Sequence, residues 1–274
     1  MMENIKNKSR APFWLILIIV GIVLIIVGVV ISRILGVSKY FPKEDIYQTF
    51  KSEDINNLNI DSGIGKINIQ KSNDNIIIVD CTNLPKDRYE VIGKNNTLKI
   101  TYKQKWFDFF DNSIFHNKNE AEITVYLPEK EYDNFEFDGG VGENNITDIS
   151  VKTANIDCGV GESVFKNFKV TNKADIDIGV GETKFENCEL NKSDIDTGVG
   201  ELYFSGKISG YTEIDMGVGE AEFNIDGYKN EYDIDYDKGI GEVTINGGET
   251  SYVSSKPIKI DLDCGVGEVT FNFK

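Results

Sequence analysis

From Leu58 onward the chain alternates apolar and polar residues, beginning with L-N-I-D-S-G-I-G-K-I-N-I-Q. The runs N-I-I-I-V-D, T-L-K-I-T-Y and E-I-T-V-Y-L-P follow, separated by N-D, P-K-D and G-K-N-N. Short alternating runs between turn-forming residues predict strands. No later segment has the length and period of a helix. One earlier stretch differs in kind. Phe13 to Ile31 is 19 residues without a charge, long enough to cross a bilayer as a helix. No small-residue cleavage pattern follows it, so an uncleaved anchor is expected. The expected division is a cytoplasmic tail at 1–11, a transmembrane anchor at 12–35 and a juxtamembrane linker at 36–55. An N-terminal β region or cap follows at 56–130, then a repeat region at 131–274.

The repeat carries most of the information. Asp157-Cys158-Gly159-Val160-Gly161-Glu162 returns with starts at Asp177, Asp196, Asp215, Asp237 and Asp263. A variant starts at Asp138, and D-S-G-I-G-K starts at Asp61. From Asp138 the starts are 19, 20, 19, 19, 22 and 26 residues apart. A fixed period near 20 predicts stacking. The fold class expected is all-β: a single-stranded, β-helix-like solenoid with about 20-residue coils, an irregular β cap and the transmembrane helix. The two longer intervals predict loops near the C-terminal end, and K-N-F-K-V-T-N-K reads as a polar turn.

Parity along one unit predicts which residues face the core. Ile156, Cys158 and Val160 share an apolar face, and Ser163 and Phe165 begin the next inward row. Ile156 and Phe165 are nine apart, so one extra residue must be absorbed between them. Gly161-Glu162 is the expected bulge or corner, because glycine tolerates positive φ. The same parity stacks carboxylates outward. Like charges one coil apart repel by about 0.9 kcal/mol in water. Solvation or a cation must relieve that. Calcium takes carboxylate oxygens, which makes Asp157, Asp177, Asp196, Asp215, Glu162, Glu182, Glu201 and Glu220 candidate ligands. The sequence differs, however, from the nine-residue calcium β-roll repeat, and a solvated acidic face is the simpler reading. No other cofactor is expected. Phosphate cradling is excluded, because a strand rather than a helix follows the glycines and acids flank them.

The net charge of −16 comprises +3 on the first 35 residues and −19 on the rest. So acidic a body excludes nucleic acid as a partner. Lys6, Lys8 and Arg10 favour a cytoplasmic N-terminus, so the bulk is expected outside the cell. His116 is the only histidine, and equal repeats do not offer the two differently tuned carboxylates of an acid–base pair. An enzyme is not expected. Cys81, Cys158, Cys188 and Cys264 have no C-x-x-C spacing and read as small buried apolar residues. Residues 103–116 hold Trp106, Phe107 and Phe110, which form either a lid on the first coil or a contact with a membrane or partner.

The run I-T-V-Y-L-P, then Y-D-N-F-E-F-D-G-G-V-G-E and the serial I-D-x-G-V-G-E units resemble a bacterial adhesin family of β-strand-repeat proteins. That family is similar to the toastrack domains of envelope-stress proteins. The resemblance spans roughly residues 56–274 and implies a β-solenoid on a membrane anchor, with no catalytic residues to transfer. Three functions are expected from these readings together. The first is an adhesin-like binding or scaffold module, with a protein or cell-wall partner. It would contact the bare strip Gly159, Gly161, Gly179, Gly181, Gly198, Gly200, Gly217 and Gly219, or the aromatic segment. The second is an accessory sensor or modulator working with an envelope-stress membrane protein. The third is a calcium-stiffened stalk.

Overall fold

A computed structural model describes residues 42–103, 121–250 and 257–274. The expected anchor and Trp106, Phe107 and Phe110 lie outside the described residues. Among those residues, no helix is long and apolar enough to cross a membrane. All sixteen strands belong to one sheet, wound into a solenoid-like stack of coils. The fold is all-β, as the alternation predicts.

Three coils are built from strand pairs. They are β2 (Asn57–Asp61) with β3 (Ile64–Lys71), β8 (Glu131–Asp138) with β9 (Val141–Thr147), and β10 (Ser150–Asp157) with β11 (Val160–Lys166). Later coils are single bent strands: β12 (Lys169–Asn191), β13 (Ser193–Ser209) and β14 (Thr212–Ile225). Each coil pairs in parallel with the next, motif on motif. The D-S-G-I-G-K unit joins the same register, Asp61 opposite Asp138 and Gly65 opposite Gly142.

Stacking order departs from chain order at both ends. At one end, β6 (Thr97–Tyr102) and β7 (Glu122–Leu127) stack outside β2 and β3. Three strands close that end in antiparallel fashion: β1 (Lys43–Lys51) and β4 (Ile76–Pro85) beyond β7, and β5 (Tyr89–Lys94) beyond β6. Lys43–Lys51, read from sequence as linker, is therefore strand. At the other end, β15 (Tyr232–Gly247) runs past the next open slot, and the C-terminal strand β16 (Ile258–Phe273) fills it between β14 and β15. The longer intervals are thus the links out to β15 and back, not decorations of a regular coil.

The core is a set of side-chain ladders. Phe165, Phe185, Phe204, Phe223 and Phe271 are fully buried and stacked in that order, with ring centroids 4.7, 6.4, 6.2 and 4.9 Å apart. Burying each such side chain contributes about 1.5–3 kcal/mol. Phe168 and Val170 are also buried, so K-N-F-K-V-T-N-K is not a polar turn. Asn167 takes φ 51° there and returns the chain to the inward parity at Phe168. Asn187 does the same at φ 54°. Their side chains form a ladder: Asn187 Nδ2 donates to Asn167 Oδ1, and Asn167 Nδ2 to Asp148 Oδ1, both at 2.7 Å. Asparagine and aspartate tolerate this left-handed backbone better than most residues.

Candidate functional site

The repeated motif forms one long corner. In every coil its second glycine has a positive φ, from 133° at Gly65 to 156° at Gly241. A Cβ on that glycine would overlap the carbonyl oxygen of the chain stacked before it: Gly161 against Gly142, Gly181 against Gly161, Gly200 against Gly181. The first glycines stack likewise, Gly179 against Gly159 and Gly198 against Gly179, and Gly217 against Gly198. Packing of coil on coil therefore demands glycine at all eight strip positions, with or without a partner. All eight keep some exposure.

The corner corrects the inward face. Val160, Val180, Val199 and Val218 are 46, 50, 42 and 42% exposed. The alternation slips between Cys158 and Val160, not at Gly161-Glu162, so the central valine points outward while Cys158 stays buried. Register joins these valines into a ridge that runs Ile64, Val141, Val160, Val180, Val199, Val218, Val266, Ile240.

Carboxylates line both sides of the ridge. On one side stand Asp138, Asp157, Asp177, Asp196, Asp215, Asp263 and Asp237. On the other stand Glu143, Glu162, Glu182, Glu201, Glu220, Glu268 and Glu242. A further row runs Asp175, Asp194, Glu213, Asp261 and Asp235. Lysines answer some of this charge in the earlier coils: Lys66 lies 3.4 Å from Glu143, Lys173 2.6 Å from Asp175 and Lys184 2.6 Å from Glu182. Among the described residues, Asp196, Asp215, Asp263, Glu201, Glu220 and Glu268 make no ion pair. Partial burial, then the neighbouring carboxylates, raise the pKa of Asp177 and of Asp196. Packed like charge opposes ionisation in this way.

A shallow groove of about 300 Å³ lies over Leu202 and Ala221, with Glu201, Glu220, Glu222 and Glu268 around it and Tyr203 and Lys184 at its side. The calcium candidates remain in two rows on either side of the ridge. Among the described residues, no three His, Cys, Asp or Glu side chains are grouped to hold a metal ion. The four cysteines are free and buried. Burial pushes the thiols of Cys81, Cys158 and Cys188 up to about 12, which makes them poor nucleophiles.

Sequence reasoning found the acidic rows and the glycines but missed the ridge. The available signal was the invariably β-branched residue between two glycines.

No curated protein matches the chain. Among solved structures, the chain is similar to a "putative cell adhesion protein" from Clostridium sporogenes, at 19% identity and a TM-score of 0.37, covering 85% of this chain and 100% of that one. It is also similar to a "putative adhesin" from Bacteroides fragilis, at 17% identity and a TM-score of 0.42, covering 84% and 98%. A third is a "putative lipid binding protein" from Parabacteroides distasonis, at 13% identity and a TM-score of 0.39, covering 84% and 98%. By sequence, residues 55–257 match the family described as Toastrack DUF4097. With the motif corner, the parallel coils and that match over most of its length, the chain belongs to the toastrack family DUF4097.

Proposed function

We propose that the protein is a non-enzymatic, membrane-anchored extracytoplasmic module that binds or scaffolds a cationic partner along its acidic coils. The observation that carries this reading is the set of carboxylate rows flanking the valine ridge in the later coils. They are stacked in register and largely without lysine partners. A partner with basic groups around an apolar strip would relieve the like-charge repulsion and cover the valines in one step. The Phe13 to Ile31 segment supports the anchor, and the lysines before it support a cytoplasmic N-terminus.

The test is crosslinking of the full-length protein in cells, with mass spectrometry of its partners, with and without a cell-wall antibiotic. Capture of wall material or basic surface proteins, unchanged by the drug and lost when Glu201, Glu220 and Glu268 become Gln, is the expected result. Capture of a histidine kinase or stress-system membrane protein that changes with the drug, and persists in that variant, would replace it with the envelope-stress reading.

A further inference from the structure

At the C-terminal end of the stack, the last strand among the described residues is bonded on one side. Among the described residues, β15 pairs with β16 and with nothing beyond it. On the free side, alternate backbone N–H and C=O groups point away from the sheet, a ready template for another strand.

The side chains along this edge are also incompletely covered. Register puts Ile234, Tyr236, Val243 and Ile245 in the inward slots that Ile260, Leu262, Val269 and Phe271 fill one coil deeper. The deeper four are at most 1% exposed, whereas Tyr236 is 42% exposed and Ile234, Val243 and Ile245 are only partly buried. Lys238 occupies the slot of the buried Cys264. A lysine on an edge discourages indiscriminate pairing. Between the inward slots, Asp233, Asp235 and Asp237 are exposed.

We propose that the Tyr232–Lys238 edge of β15 accepts an added strand from an extended cationic peptide. Apolar residues at alternate positions of that peptide cover Ile234 and Tyr236. Lysine or arginine residues between them lie beside Asp233, Asp235 and Asp237. Main-chain hydrogen bonds supply affinity, and the alternating pattern supplies selectivity. A second copy offering its own β15 would bring like carboxylates together, which destabilises cross-strand pairs. The added strand ends before the corner. Throughout the stack, the carbonyl of each second glycine occupies the Cβ position of the coil that follows, so a strand continuing past Gly241 would itself need glycine there. This site takes in only the last members of two lateral rows, Asp237 and Asp235, adds a backbone edge that those rows do not use, and goes beyond the reading based on them.

The test uses the full-length protein in lipid nanodiscs and three labelled octapeptides. One is four Lys-Val repeats, one is four Glu-Val repeats, and one is the Lys-Val peptide N-methylated at alternate residues. Binding is followed by anisotropy, and backbone protection by hydrogen exchange. The Lys-Val peptide is expected to bind and to slow exchange at residues 232–238. N-methylation, which removes the strand's donors without touching the protein, should abolish binding. The variant D233K/D235K/D237K should weaken the Lys-Val peptide by about tenfold or more and admit the Glu-Val peptide. Absence of binding, or binding indifferent to N-methylation, overturns the proposal. So does protection confined to the lateral rows, although that result leaves the lateral reading standing. Concentration-dependent protection of 232–238 without peptide would assign the edge to a second copy instead.

Discussion

In the coils of β2–β3, β8–β9 and β10–β11, the strand breaks at the motif, and the aspartate caps the turn. Asp61, Asp138 and Asp157 each accept, through Oδ1, the N–H of the glycine two residues on, at 3.0, 2.9 and 2.8 Å. Those glycines, Gly63, Gly140 and Gly159, sit at φ 63°, 54° and 57°. In β12, β13, β14, β15 and β16 the strand runs through the corner unbroken. There Gly179, Gly198, Gly217, Gly239 and Gly265 are not left-handed, and the aspartates stand as a bare row. The inward slot does not sort the two kinds, since Cys158 belongs to one and Cys264 to the other. One motif thus supports two corners, and the same aspartate is a turn cap in the first and an uncompensated charge in the second.

The comparison breaks most severely at what both corners share. Gly161→Ala and Gly181→Ala should each cost about 3 kcal/mol or more, because positive φ and the neighbouring carbonyl both exclude a Cβ. Urea melts of the two variants measure this, and an unchanged midpoint for either would end the ladder account. Nearly as large is the common core. Phe165→Ala and Phe223→Ala, one from each kind of coil, should each cost about 3–5 kcal/mol, with single coincident transitions by circular dichroism and fluorescence. Two separated transitions would mean that the halves fold independently.

Aspartate substitutions sharpen the contrast, because the expected signs are opposite. Asp157→Ala loses the hydrogen bond from Gly159 and should destabilise by about 0.5–1.5 kcal/mol. Asp177→Asn removes a carboxylate that its surroundings hold in check and should raise Tm slightly. Equal effects would mean that the two corners do not differ energetically.

The smallest effect is that of pH. Burial and neighbouring acids raise the pKa of Asp177 and Asp196 above the unfolded value. The folded state then binds protons more readily, so ionisation of these groups costs stability at neutral pH. Acidification through the raised folded pKa values relieves that cost, and thermal melts should move up there. Once pH falls below the unfolded value both states are protonated, and the gain from these groups stops growing. The variant D177N/D196N should flatten the rise.

Much of this was legible beforehand. The period near 20, the buried phenylalanines and cysteines, and the outward aspartates and glutamates follow from residue spacing, because side-chain direction alternates strictly within a strand. Val160 was misread for the same reason. Alternation holds only until the backbone slips, and a glycine does not announce which of its neighbours absorbs the extra residue. Phe168 was missed because an asparagine at positive φ resets the parity inside what reads as a polar turn.

The sequence by itself determined that the chain is β throughout its described length, that it stacks by a repeated glycine corner, and that its outer surface is acidic. Those properties are local, written in each unit and multiplied by repetition. Only the tertiary structure decided the order of stacking. Nothing in the letters of β16 distinguishes insertion beside β14 from addition beyond β15, because every coil presents the same register to both neighbours. Among the described residues, that choice left β15 as the edge at this end of the stack, with Tyr236 half-open and Asp233, Asp235 and Asp237 alongside.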